Sequence, residues 1–274
     1  MIKPSLLGLA GALSAGAAAI GQTAELGPVP EAEVAAQSDA QTLALGRAIY
    51  RHDLAAWHAT DAALGSLPNG FDRGRLKGYV VEPLDGKRMS VAFIASMGDD
   101  DAVVWEATVR GKKVRDARWL DTPRPLTTME AAQRSAIQTA IPAVEKTCGR
   151  PMNTVVLGPE DTGRDEFFVY LLTPMRDLNE AVFGRHFRAR VSLDGQTLIG
   201  SRPFTNSCAI FPAGPADAPR GSQPVGIVTS HLLDDKPQET HVFVSLTHGM
   251  DVYVMTKGDR LFRVNGKKMQ QVER

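Results

Sequence analysis

The chain has no CxxC pair and no G-x-S-x-G, HExxH, P-loop or G-x-G-x-x-G arrangement. Serine-nucleophile, zincin and nucleotide chemistry therefore lose their usual sequence support. Charge of one sign is missing too: 31 basic residues stand against 31 acidic ones, which leaves no global field to draw in nucleic acid or anionic lipid. Nucleic-acid binding is set aside. Beyond the N-terminus no apolar run reaches the length of a membrane span. No cofactor is implied by any motif.

What is present begins with Lys3, followed by the apolar run Leu6–Ile20 of Leu, Ala, Gly and Ser, and then by small residues around Ala15–Ala19. Charge, hydrophobe and small-residue exit in that order form a signal-peptide pattern over 1–24, with cleavage in 17–24. The run is too short and glycine-rich for a comfortable membrane span, and no cysteine stands at the cleavage point to make a lipoprotein. A periplasmic or secreted location is expected. Nothing there keeps thiols reduced, so the only two cysteines, Cys148 and Cys208, are expected to form a disulfide. Closing the long loop between them should stabilise the fold by roughly 4 kcal/mol.

Removal of the signal leaves enough chain for one large or two small cores. Residues 25–37, with Pro28 and Pro30, suit an extended leader. Ser38 and Gln41 then make a capping box for a helix running to about Leu64, with Leu43, Tyr50, Leu54, Trp57 and Leu64 as its apolar stripe. Strands are predicted over 78–82, 89–96, 102–109 and 114–120, which completes a first unit at 38–120. The two prolines of Asp121–Pro125 predict a linker at 121–126. Thr127 and Glu130 repeat the capping box, and the stripe Ile137, Ile141, Val144 and Cys148 predicts a second helix with a break at Pro142. Strands follow at 153–157, 166–173 and 186–193, and Asp194-Gly195 turns the chain back along 196–204. The order capped helix, strands, hairpin thus occurs twice and reads as a structural duplication at a period near 89 residues. The rest of the segment 127–274 carries no helix signal. It reads as a loop over 211–224, then strands at 226–233, 240–247, 251–256, 260–264 and 267–272, which either extend the second sheet or form a meander of their own.

The pieces A-W-H-A-T-D-A-A-L at 56–64 and H-L-L-D-D-K-P-Q-E-T-H-V-F-V-S-L at 231–246, behind this signal peptide, resemble a group of exported alphaproteobacterial proteins. That resemblance covers most of the mature chain and implies no activity. R-A-R-V-S-L-D-G-Q-T-L-I-G at 188–200 is similar to PepSY and cystatin-like modules, which end in such a hairpin after a helix. It implies a binding or inhibitory module outside the membrane.

Three constellations carry chemistry. His231 and His241 would face each other if Asp234–Gln238 were a five-residue hairpin loop, and could hold zinc or copper with a third ligand such as Asp234 or His186. The simpler account is a polar pair on the wetter face of a sheet, favoured because no third ligand has diagnostic spacing. His58 and Asp61, three apart on the first helix, could form an oriented acid–base pair, or a hydrogen bond at the helix border, which is the plainer account. Arg188 and Arg190 alternate with apolar residues, so they share one strand face and could fork onto an anion, or simply pair with local acids. Asp99–Asp101 reads as a turn. Asp161-Thr162-Gly163 matches an aspartic-protease triplet but has no second copy to share a proton.

Taken together, the sequence predicts an α+β protein of two helix-on-antiparallel-sheet units with a β-rich C-terminal extension. The expected function is a non-catalytic periplasmic module that binds a protein or small-molecule partner. The alternative is a hydrolase using His58 and Asp61, or a metal-assisted site at His231 and His241.

Overall fold

The computed structural model describes residues 37–144, 147–213 and 226–273. The predicted signal peptide and nearly all of the leader lie outside these residues, as does most of the loop predicted over 211–224. The fold is α+β. Among the described residues, no helix is long and apolar enough to cross a membrane.

The Ser38 hydroxyl accepts from the Gln41 N–H at 3.2 Å while the Gln41 side chain accepts from the Ser38 N–H at 2.9 Å, so the capping box does open α1 (Asp39–Gly65). The buried face is not the predicted one. Leu45, Ile49, His52, Ala56, Ala59 and Ala63 point inward, whereas Trp57 and Leu64 are each 40% exposed. Alanines let the helix lie close to its neighbours, so side-chain size picked the wrong face. The C-terminal half of α1 packs through Ala55, Ala56, Ala59 and Ala63 on Val81, Val91, Phe93 and Trp105. Those residues belong to an antiparallel sheet, β1 (Leu76–Pro83), β2 (Met89–Ser96), β3 (Asp101–Arg110) and β4 (Lys113–Arg124), in that order. The predicted linker at 121–126 is mostly strand. β4 is an edge strand, where Pro123 can sit without removing a needed donor.

Thr127 and Glu130 cap α2 (Thr128–Ala140), and Pro142 ends it in a single 3-10 turn over Ile141–Ala143. The break expected near Ile141 is present, and among the described residues no helix follows it before Cys148. The strands that follow are β5 (Asn153–Leu157), β6 (Glu166–Leu172), β7 (Glu180–Val182), β8 (Phe187–Ser192), β9 (Leu198–Pro203) and β10 (Ile210–Pro212), with a short helix α3 (Pro159–Thr162) after β5. The second sheet has the order β5-β6-β8-β9, all antiparallel, while β7 and β10 pair separately. Ala136, Ile137 and Ala140 of α2 cover one face against Val156, Phe167, Val169 and Val191. At the hairpin only Gly195 takes a positive φ, 75°. Its carbonyl accepts from Ser135 and Thr139, and a Cβ there would lie 2.3 Å from the Ala132 oxygen, so the turn docks on α2 only as glycine.

The last segment corrects the sequence reading most. β11 (Ile227–His231) is followed by a helix, α4 (Glu239–His248), and not by the strand expected over 240–247. β12 (Val252–Thr256), β13 (Arg260–Val264) and β14 (Met269–Gln271) complete a sheet of order β11-β12-β13-β14. β11 and β12 are parallel, because α4 is the crossover between them. This sheet stands apart from the second one but shares a core with it. Leu45 and Ile49 of α1, Leu157 and Tyr170 of the second sheet, Val242 and Val244 of α4, and Val252 and Val254 of the third sheet form one cluster. Cys148 and Cys208 are disulfide-bonded with Cα atoms 5.7 Å apart, tying the chain after α2 to the chain between β9 and β10.

Candidate functional site

His58 and Asp61 do not form a pair. The His58 ring stacks on Trp57 with centroids 5.7 Å apart, its Nε2 is buried with no hydrogen-bond partner, and Asp61 is exposed. His231 and His241 do meet, ring centroids 4.8 Å apart, but from a strand and a helix instead of across a hairpin. Both are fully buried. His231 Nε2 bonds Asp234 Oδ2 at 2.7 Å, and that oxygen also accepts from Arg202 at 2.5 Å. Burial pushes the Asp234 carboxyl up, yet the bonds from His231 and Arg202 outweigh it and hold the group at about 2. His241 Nδ1 accepts from the Gln238 N–H at the start of α4, and burial, with His231 beside it, holds its pKa well below the usual value. Among the described residues no group of three His, Cys, Asp or Glu side chains could hold a metal. The pair joins α4 to β11.

Arg188 and Arg190 share a strand face as parity requires, but that face is not solvated. Arg188 is 2% exposed and donates to Glu239 of α4 at 2.7 Å, with Tyr170 donating to the same carboxylate oxygen at 3.0 Å. Its guanidinium lies 4.9 Å from the Phe168 ring centroid. Arg190 meets both oxygens of Glu166 on β6 at 2.9 and 3.0 Å. Both arginines are engaged by the protein's own carboxylates. His186, suggested as a third metal ligand, accepts from the Thr173 N–H through Nδ1 and donates to the Val182 carbonyl through Nε2. Burial lowers its pKa to about 4, so it stays neutral and structural. Asp161 of the protease-like triplet accepts from Arg51 at 2.7 Å and bonds His52 at 2.9 Å, which clamps α3 to α1.

The concave site lies elsewhere, at the junction of the first unit with the second unit and α4. A cavity of about 490 Å³ is walled by Asp53, Ala56, Trp57 and Thr60 of α1, Tyr79 of β1, Asn153 of β5 and Leu172 of β6. The loop 173–178, Glu180, Val182, His186 and the Phe243, Val244, Thr247 and His248 side of α4 complete it. On α1 the 53, 56, 57, 60 spacing places those residues on one helical face. Asp53 is partly buried, and loss of water pushes its carboxyl up to about 6. Tyr79 is pushed up as well, first by burial and then by the charge of Asp53, and its hydroxyl donates to the Thr154 carbonyl at 3.4 Å. Glu180 is held low by Arg150, whose guanidinium forks onto it at 2.7 and 3.1 Å, and by the Arg176 N–H. His248 is lowered by burial and bonded to the Glu180 backbone.

None of these cavity residues except His186 stood out in the sequence as a candidate for function, and Trp57 was read only as part of an apolar stripe. The one available signal was Asp53 four positions before Trp57 and seven before Thr60, an acid on the same helical face as an indole that never enters the core. No family model, curated protein or solved structure matches the chain.

Proposed function

We propose that the protein is exported and acts outside the cytoplasm as a non-catalytic binding module for a small organic molecule, which enters the cavity between the two helix-plus-sheet units. The observation that carries this reading is the cavity itself. Its volume lies in the range of small-molecule sites, its walls come from separate parts of the chain, and apolar surface there surrounds a few polar groups. Export is supported by the N-terminal pattern and by the disulfide, which an oxidising compartment preserves. The hydrolase alternative has no support in the geometry at His58 and Asp61, which do not meet, or at His231 and His241, which are buried and engaged by their own surroundings.

The test is thermal denaturation of the mature protein against a fragment library, with binding located by a cavity-filling variant, Thr60→Phe. A ligand present at a hundredfold over its Kd should add about 2.7 kcal/mol to stability. Thr60→Phe should abolish that gain while unfolding cooperatively. A library that stabilises neither protein, or stabilises both equally, would remove the cavity as the binding site.

A further inference from the structure

The buried carboxylates of this fold are almost all matched by arginine. Glu239 has Arg188, Glu166 has Arg190, Glu130 has Arg124, Asp234 has Arg202, and Asp161 has Arg51. Asp53 departs from this pattern further than Glu82, which has no arginine but accepts from the Gln133 amide at 3.0 Å. Among the described residues no hydrogen bond or ion pair reaches its carboxylate, although Arg51 lies two positions away and turns instead to Asp161. An unpaired carboxylate partly removed from water is costly, and a fold that gives its other inward acids a hydrogen-bonding partner has the means to match this one. Its surroundings suit a positive guest. Trp57, on the same face one turn along, is 40% exposed, and Tyr79 faces Asp53 closely enough to sense its charge. Aromatic faces attract cations.

The other charged and titratable groups lining the cavity do not compensate Asp53. Glu180 is paired with Arg150 from outside the wall, the adjacent lining residues Arg176 and Asp177 contribute opposite charges that sum to zero, His186 is held neutral with both ring nitrogens engaged, and burial lowers His248. The wall therefore keeps one uncompensated negative charge, at Asp53, in a pocket otherwise floored by groups such as Leu172, Val182 and Phe243.

We infer that the cavity takes an organic cation, a protonated amine on an apolar body, whose ammonium donates to the Asp53 carboxylate between Trp57 and Tyr79. This inference rests on the cavity being a binding site. It predicts that affinity follows ionisation of the acid. With the Asp53 carboxyl at about 6, an amine should bind about tenfold more weakly near pH 5 than near pH 7, because only the ionised fraction is competent.

Isothermal titration with phenethylamine, phenylethanol and phenylacetate compares a cation, a neutral molecule and an anion of one shape. The amine should bind at least tenfold more tightly than the alcohol, and the acetate should bind least. Asp53→Asn should reduce amine affinity by tenfold or more while leaving the alcohol unchanged. The pH series on the unsubstituted protein gives the same readout without any substitution. Equal binding of the three, preference for the acetate, or amine binding indifferent to both pH and Asp53→Asn would overturn the cation inference and leave the cavity standing as a binding site. No binding by the three, together with no Thr60→Phe-sensitive binding in the fragment library, would overturn both.

Discussion

The two helix-plus-sheet units share one order, a capped helix followed by a four-stranded antiparallel sheet, yet they are buried very differently. In the first, α1 covers one face, the other carries a small cluster of Val80, Ala92, Ile94 and Val103, and β4 is largely exposed. In the second, α2 covers one face through Ala136, Ile137 and Ala140, while the N-terminal half of α1 and the apolar side chains of α4 close over the other. Every residue of β6 is buried in consequence. A helix-then-meander order therefore specifies only one covered face. The occupant of the second face is delivered by distant chain, and with it arrive Glu239 and Asp234, the acids that meet Arg188 and Arg202.

The strongest way to break this comparison is at the ion pair under α4. Glu239→Ala would remove the carboxylate that accepts from both Arg188 and Tyr170 in the interior and should cost about 3–5 kcal/mol in urea unfolding. The double substitution Arg188→Met with Glu239→Leu should cost much less, because it removes both charges. A single substitution that costs under about 1 kcal/mol would mean that water reaches the second face.

The helix crossing comes next. A Cβ at Gly46 would lie 2.5 Å from Val242 Cβ and 2.7 Å from the Glu239 oxygen, so Gly46→Ala should cost about 2–3 kcal/mol by forcing α1 away from α4. Gly65, at the far end of the same helix over the first unit, has open space around it, and Gly65→Ala should be neutral or stabilising by about 0.5 kcal/mol. Equal effects in thermal melts would place the close approach elsewhere.

Asp53 sharpens the comparison at the junction itself. Its folded pKa is raised above the ordinary carboxylate value to about 6, so the protonated form is the one favoured by folding. That contribution is complete below the unfolded pKa and is lost as pH rises through about 6. Asp53→Asn should therefore match the parent near pH 4 and exceed it by up to about 2 kcal/mol above pH 7, after allowance for partial exposure. Stability curves that stay parallel across that range would show that the acid is well solvated. The smallest effect tests the repeated caps. Ser38→Ala and Thr127→Ala should each cost about 1 kcal/mol, since each box satisfies the same orphan amides.

Local chemistry was legible wherever it acted over a few residues. Both capping boxes, the break at Pro142, most strands of the first two units and the cysteine pair could be read from side chains and spacing. α4 could not. Glu239–Ser245 is buried without interruption, so no polar face remained to show a helical period, and Val242, Val244 and Leu246 alternated as a strand would. Its first turn is capped by a histidine ring in place of the usual Ser, Thr, Asp or Asn signal. The buried face of α1 escaped for a related reason, since alanine carries little weight in a hydrophobic stripe but permits the closest packing.

Composition, capping and the two cysteines determined the class of this protein, because those signals are short-range or belong to the chain as a whole. Only tertiary structure decided which strand face became a second core, that His231 and His241 would meet across a strand and a helix, and that an acid, an indole and a phenol would share a cavity. Those outcomes depend on where α4 lands against α1 and the second sheet, and that contact joins residues some two hundred positions apart.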